Sequence, residues 1–172
     1  MSKMSMSKMS TPKMSMPADR ISNRVLFEEA IRHCRWKLVL KNLLRNTAFQ
    51  EENIHQLGKS FEKIIEKVHK ICSKEKGIGR LAVYDLTAAI CRYQNIPIRR
   101  VYIIGGGPKR AIELLDIYTK NQKIKGVPLL KYVEVSQIVD AFQRKNYKLN
   151  ASIDITNGDA FESYICNWQK NR

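Results

Sequence analysis

Apolar residues recur at intervals of three and four along most of the chain, which places them on one face of an α-helix. This pattern predicts six helices, over residues 22–45, 53–72, 81–93, 108–115, 133–144 and 159–170. The segments between them are short and rich in Gly, Pro, Asn and Lys, as connections are. Residues 101–104, Val-Tyr-Ile-Ile, fit either an extended piece or a buried helical turn. The sequence therefore predicts an all-α domain.

The first 18 residues differ in composition, because they repeat Met, Ser and Lys. They lack the continuous apolar stretch of a secretory signal and the apolar helical face of a transit peptide. We expect residues 1–20 to form a disordered basic tail and residues 21–172 to form a single helical domain. Nowhere do about 18 apolar residues run together, so a membrane-spanning helix is not expected.

The chain carries a net charge of +15, and this charge is not confined to the tail. From residue 46 onward, 21 Lys and Arg outnumber 13 Asp and Glu. A field of this strength attracts polyanions and speeds their capture. We expect nucleic acid, with DNA preferred, as the partner, ahead of an anionic membrane surface, an acidic protein or a basic surface that only aids solubility.

Four cysteines, Cys34, Cys72, Cys91 and Cys166, lie far apart and form no C-x-x-C pair. The last three fall within apolar patterns. This favours buried free thiols in a reducing intracellular compartment, either cytoplasmic or nucleoid-associated. Their spacing fits no zinc or iron–sulfur site. We therefore expect no metal and no other cofactor.

A Gly77-Ile78-Gly79 turn separates two of the predicted helices. Two glycines around one aliphatic residue let the backbone turn tightly, because neither carries a Cβ. The free amides at the start of the next helix then point outward, where an anion can bind. In a chain this basic, the expected anion is a phosphate of a nucleic-acid backbone.

A second turn, of three glycines at residues 105–107, precedes Pro108, a residue type favoured at the first position of a helix. Lys109 and Arg110 follow in the first turn, where cations oppose the helix dipole. Their position suggests an external anion, so we expect a second phosphate here. The same stretch can be interpreted as the diphosphate loop of a nucleotide-binding enzyme, although it lacks the full G-x-G-x-x-G pattern and its acidic residue.

The predicted binding residues are the glycines of both turns and the cations around them. They are Lys74, Lys76, Gly77, Gly79, Arg80, Arg99, Arg100, Gly105, Gly107, Lys109 and Arg110. Backbone contacts of this kind position a protein on a nucleic acid without reading its sequence.

The block from residue 61 to residue 115 resembles the helix-hairpin-helix core of the base-excision DNA glycosylase superfamily. The resemblance rests on the Gly77-Ile78-Gly79 turn between two helical patterns, with the aliphatic Leu81 shortly after it. The combination of Gly-Ile-Gly, Val-Tyr-Asp, Arg-Val-Tyr and a closing Phe-Glu-Ser-Tyr-Ile-Cys is also similar to a group of small uncharacterised bacterial proteins. The resemblance implies a helix-hairpin-helix fold that contacts the DNA backbone.

The resemblance does not extend to a catalytic carboxylate, because Ile103 and Ile104 occupy the matching positions. We therefore expect a non-catalytic or degenerate nucleic-acid-binding protein. The alternative is a base-excision glycosylase or lyase, in which Asp85 is an available carboxylate. Lys109 would then be an imine-forming nucleophile, if burial or a neighbouring charge activates it. Catalytic residues stay unassigned, and a protein-interaction adaptor with a basic surface is a further alternative.

Overall fold

The computed structural model describes residue 43 and residues 45–172. The predicted tail and nearly all of the predicted helix over residues 22–45 lie outside these described residues. The helices and strands of the described part are α1 (Glu51–Ile54), α2 (Phe61–Cys72), α3 (Arg80–Tyr93), β1 (Arg100–Tyr102), α4 (Gly106–Leu115), β2 (Lys120–Ile124), β3 (Val127–Glu134), α5 (Val135–Arg144) and α6 (Gly158–Trp168). Short 3-10 turns lie at Thr47–Phe49, His55–Leu57 and Gln169–Asn171.

The three strands form an antiparallel sheet with the order β1-β3-β2. Tyr102 of β1 pairs with Tyr132 of β3, and Tyr132 also pairs with Lys120 of β2. The prediction of an all-α domain is therefore wrong, and the fold is α+β. The extended interpretation of Val101 and Tyr102 is the correct one.

The strand hairpin formed by β2 and β3 was predicted to be a loop because lysines interrupt its apolar pattern. In the structure, Gln122 pairs with Leu130, and the more exposed Asn121 pairs with Lys131. Alternate residues of a strand lie on opposite faces, so a strand half covered by protein keeps lysines on its other face. Gly126 makes the turn at φ +71°, a conformation that favours glycine.

The predicted helix over residues 53–72 is interrupted at Gly58, which has φ +149°. A Cβ there would lie 2.7 Å from the Cβ of Lys63, so the site requires glycine. Helix α2 then begins after Ser60, whose side chain accepts a hydrogen bond from the Lys63 amide at 3.4 Å. The predicted helix over residues 133–144 begins later than expected, because residues 133 and 134 belong to β3. Glu134 ends β3 and caps α5 through a capping box with Gln137.

The sheet is the shared layer between two apolar cores. On one side Tyr102 and Tyr132 pack with α2 and α3, and the ring of Phe61 stacks on that of Tyr102 at 4.4 Å. On the other side Val101 and Val133 pack with α4, α5 and α6. Helices α2 and α3 pack against each other, with the connection at residues 73–79 at one end of the pair.

Three of the cysteines, Cys72, Cys91 and Cys166, lie in the described part, and none of these three forms a disulfide there. Cys72 and Cys91 are buried, and Cys166 is half-buried. Burial raises the pKa of Cys91 to about 12, so this thiol is neutral at physiological pH. No helix among the described residues is both long enough and apolar enough to cross a membrane.

Candidate nucleic-acid interface

The five helices of ten or more residues in the described part begin in two different ways. Helices α2, α5 and α6 begin at residues whose side chains take part in the cap: Ser60, the Glu134–Gln137 pair and Asn157. Helices α3 and α4 begin at Gly79 and Gly105, which have no side chain to bond the first amides. Both glycines have extended backbones, with φ −86° and φ −94°.

The amides at these two glycine-capped starts are unpaired. Among the described residues, the N–H groups of Arg80, Leu81 and Ala82 have no hydrogen-bond acceptor, and neither do those of Gly106 and Gly107. The helical bonds begin one residue further on, for example from Val83 N to Gly79 O at 3.2 Å. Unpaired amides and the helix dipole make each start a region of positive potential.

The two starts lie side by side. The Leu81 Cδ1 atom lies 3.8 Å from the position that a Cβ on Gly105 would occupy. Strand β3 joins them, since Arg80 Nη2 donates to Leu129 O at 2.7 Å and Ile103 N donates to Lys131 O at 2.8 Å. We call this surface, formed by residues 79–81, 105–107 and 129–131, the glycine-capped face.

The surface is accessible at its centre. Gly79 and Gly106 are exposed, and no atom of the described residues lies within 4 Å of a Cβ built on either residue. Gly105 and Gly107 are half-buried, and a Cβ on Gly107 would collide with the Cys166 sulfur. Gly107 therefore serves the packing of α4 on α6, while Gly79 and Gly106 leave room for a ligand.

Most of the predicted cations lie near this face. Arg80 belongs to it, and Lys109 and Arg110 are exposed in the first turn of α4. Lys74 and Lys76 are exposed on the connection that leads into Gly79. Lys131 is a further exposed cation of the face. The sequence argument missed Lys131 because its strand was interpreted as a loop.

Gly77 and Gly79 have different roles in the connection between α2 and α3. Gly77 has φ +91°, a conformation that favours glycine, as the tight turn predicted. Gly79 has an ordinary backbone conformation, so its value at this position is the absent side chain rather than a special dihedral angle.

Arg99 and Arg100 lie elsewhere. They line a cleft of about 330 Å³ together with Lys59 and Ser60, at the start of α2. The 12 residues of α2 span about 18 Å, so this cleft is a helix length away from the Gly77-Ile78-Gly79 turn. Arg100 is also engaged by the protein itself, with Nε 3.7 Å from Glu134 Oε1 and its guanidinium over the Tyr132 ring.

The two catalytic candidates have different surroundings. The Lys109 side chain is 72% exposed, and its Nζ lies 3.8 Å from Glu113 Oε1. It therefore lacks the burial that activates a lysine nucleophile. Asp85 is half-buried and lies within electrostatic reach of Glu162 on α6.

A group of polar side chains between α3 and α6 was not found from the sequence. Arg92 Nη1 donates to Asp159 Oδ2 at 2.6 Å, and the Tyr84 hydroxyl is 3.5 Å from Asp159 Oδ1. Burial, followed by the charges of Asp159 and Asp85, raises the pKa of Glu162 to about 7. The Val-Tyr-Asp and Phe-Glu-Ser-Tyr segments supply Tyr84, Asp85 and Glu162, whereas Arg92 and Asp159 come from outside both segments, and the meeting of all five depends on the tertiary fold.

This polar group holds α6 against α3. Within the part of the chain that the structure describes, no three His, Cys, Asp or Glu side chains are arranged to hold a metal ion. Since the Arg92–Asp159 pair already satisfies the most buried carboxylate, the geometry is that of a structural ion pair.

Comparison with known proteins adds no relative to this picture. No protein-family model matches the chain, no curated protein matches it, and no solved structure matches it.

Proposed function

We propose that the protein binds polynucleotides through their sugar-phosphate backbone at the glycine-capped face. The observation that carries the proposal is the pair of adjacent helix starts whose first amides have no acceptor among the described residues. A helix start of this kind is suited to a phosphate, because its N–H groups and dipole both favour an anion.

Two neighbouring starts suit a polymer better than a single anion. One phosphate would accept hydrogen bonds from the amides of Arg80 and Leu81. A second would accept from the amides of Gly106 and Gly107. Lys131 and Lys109 supply the surrounding positive field, in a chain whose net charge is +15. The resemblance of the α2–α3 connection to a helix-hairpin-helix supports the same function.

The proposed role is binding, with no chemical step assigned. The exposed position of Lys109 and the ion pair of Asp159 with Arg92 give no reason to assign either group to catalysis. Backbone contacts hold a polynucleotide without reading its bases, so we expect little preference among base sequences.

Salt dependence tests this proposal. A fluorescently labelled DNA duplex is titrated with the full chain at a series of salt concentrations, and binding is followed by anisotropy. For two or more neutralised phosphates, the logarithm of the binding constant falls by about 0.9 per phosphate for each tenfold increase in salt, so a slope of about −2 or steeper is expected. A flat response would contradict the proposal.

A further inference from the structure

A cleft of about 300 Å³ lies beside the start of α4, between this helix, residues 116–119 and β3. Its lining includes the apolar side chains of Ile104, Ile112 and Ile117, and the cations Lys109 and Lys131. Gly105 also lines it, so the cleft is continuous with the glycine-capped face. Its volume is at the lower end of the range of small-molecule pockets, about 300–1,000 Å³, which suits one planar ring system.

Tyr118 lines this cleft and is 88% exposed. The described part has five exposed large hydrophobic side chains, and three of them, Leu81, Leu129 and Tyr118, lie on the glycine-capped face or its cleft. Contacts with phosphates alone would not require these apolar side chains at the surface. Exposed aromatic and aliphatic side chains among cations are what unpaired bases require, because every base has a ring face that can stack.

We infer that this cleft binds an unpaired base and that the polynucleotide held at the glycine-capped face is single-stranded. The inference rests on the proposed function and adds the class of nucleic acid. A strand whose phosphates lie on the starts of α3 and α4 places a base next to Gly105, where Tyr118 stacks on it. In a duplex the bases are paired and stacked inside the double helix, so no base is free to enter this cleft.

Charge complementarity favours a polynucleotide as the occupant. Lys109 and Lys131 line the cleft against one carboxylate, Glu113, which is itself 3.8 Å from the Lys109 Nζ. An acidic peptide with an aromatic side chain is the competing occupant, and the experiment below distinguishes it.

Anisotropy titrations compare a single strand of about 15 nucleotides, a length within the site sizes of single-strand binders, with a duplex of the same length. We expect the full chain to bind the single strand more tightly. In Tyr118→Ala, the affinity for the single strand falls about 5- to 100-fold, as for the loss of one stacked base, while the affinity for the duplex stays within about 2-fold. Tyr118→Phe keeps the affinity, and Ile155→Ala, which removes an exposed apolar side chain elsewhere, is the matched control.

Photocrosslinking gives a position for the base. A single strand that carries 5-iodouracil is irradiated in the complex, and the adduct is located by mass spectrometry. We expect the adduct on the peptide that contains Tyr118. An adduct elsewhere, or equal affinity for strand and duplex with no effect of Tyr118→Ala, would overturn the inference and leave backbone binding intact.

Failure of the proposed function is recognised differently. If the chain binds neither strand nor duplex, both proposals fall together. A synthetic acidic peptide with one tyrosine is tested as a competitor of the single strand. If the peptide binds more tightly than the single strand and loses affinity in Tyr118→Ala, the cleft binds an acidic peptide rather than a polynucleotide.

Discussion

The two ends of the α2–α3 pair both carry cations and both contain helix starts, but the starts at the two ends differ in whether a side chain caps them. At the glycine-capped face, α3 and α4 begin at residues without side chains. At the other end, which we call the side-chain-capped end (residues 59–61, 98–100 and 157–159), the Ser60 side chain accepts from the Lys63 amide of α2, and the Asn157 side chain accepts from the Asp159 and Ala160 amides of α6. We therefore expect the chemistry of the cap, rather than positive charge alone, to decide where a phosphate binds.

The side-chain-capped end is also packed more tightly. The amide of Gly158 donates to Ile98 O at 2.6 Å, and a Cβ on Gly158 would lie 2.8 Å from the Arg100 nitrogen. Gly79 has no neighbour within 4 Å of such a Cβ. A side chain at Gly158 would therefore disturb the packing of α6 on β1, whereas a small side chain at Gly79 would not collide with its neighbours.

The largest expected effect is that of Gly158→Ala on stability. The added methyl group forces α6 away from β1, and we expect a loss of about 3 kcal/mol or more in the free energy of unfolding. Gly79→Ala meets open space and costs less than about 1 kcal/mol. Urea unfolding of the two variants measures the difference. Equal losses would mean that the two helix starts are not packed differently.

The second prediction concerns Glu162 of α6, which lies within electrostatic reach of Asp159 and Asp85. The folded-state pKa of Glu162, about 7, exceeds its ordinary value of 4.5 because of burial and the charges of Asp159 and Asp85. The native state therefore holds a proton that the unfolded state has lost, and this group's contribution to stability falls as the pH rises from 4.5 to about 7.

Glu162→Gln removes this dependence. At pH 5 the variant and the natural protein should be nearly equal in stability. At pH 8 the variant should be more stable by about 1–3 kcal/mol, because the natural protein then carries an ionised Glu162 next to Asp159. Thermal or urea unfolding at the two pH values measures this. A variant that is less stable at pH 8 than the natural protein would show that the ionised group is favoured in the fold.

The third prediction compares cations at the two ends at equal net charge. Lys109→Ala with Lys131→Ala removes two charges beside the glycine-capped face, and Lys59→Ala with Arg99→Ala removes two at the side-chain-capped end. We expect the first pair to weaken binding of a single strand about 10-fold or more and to make the salt slope shallower by about 1–2. The second pair should change the affinity less than about 3-fold. Equal effects of both pairs would point to general charge rather than to a site.

The smallest expected effect is that of a substitution that gives a glycine-capped helix start a side-chain cap. Gly79→Ser supplies a side-chain oxygen that can bond the free amides of α3. Stability should rise by a few tenths of a kcal/mol, about the difference between Gly and Ser caps. Affinity for a single strand should fall about 2- to 5-fold, because the hydroxyl competes with the phosphate for the same amides. Gains in both stability and affinity would contradict the role assigned to the amides.

Local signals in the sequence located the Gly77-Ile78-Gly79 turn and, to within one residue, the start of α3. The prediction of a turn over all three glycines of residues 105–107 is wrong, because α4 already begins at Gly106. A glycine before an amphipathic pattern identifies a helix start that lacks a side-chain cap, and no tertiary information is needed for that. The sheet was not predicted because the lysines of β2 and β3 interrupt the alternation of apolar and polar residues. In these strands only one face is covered by protein, so lysines can lie on the other face.

The assembly of the site could not be predicted in the same way. Arg99 and Arg100 follow the C-terminus of α3 and therefore lie next to Lys59, at the end of the α2–α3 pair opposite the Gly77-Ile78-Gly79 turn. Lys131 lies 50 residues beyond Leu81 in the chain and still joins the same face through β3. The position of Lys131 follows from the strand order β1-β3-β2, which no local pattern encodes.

The most direct test of the central claim is amide NMR of the full chain during titration with a single-stranded oligonucleotide. The amide resonances of Arg80, Leu81, Gly106 and Gly107 should shift most, because their N–H groups gain a phosphate acceptor. The amide resonances of Lys63, Asp159 and Ala160, whose N–H groups already have side-chain acceptors, should stay nearly unchanged. Shifts concentrated around Lys59 and Arg99, with the glycine-capped amides unaffected, would contradict the account.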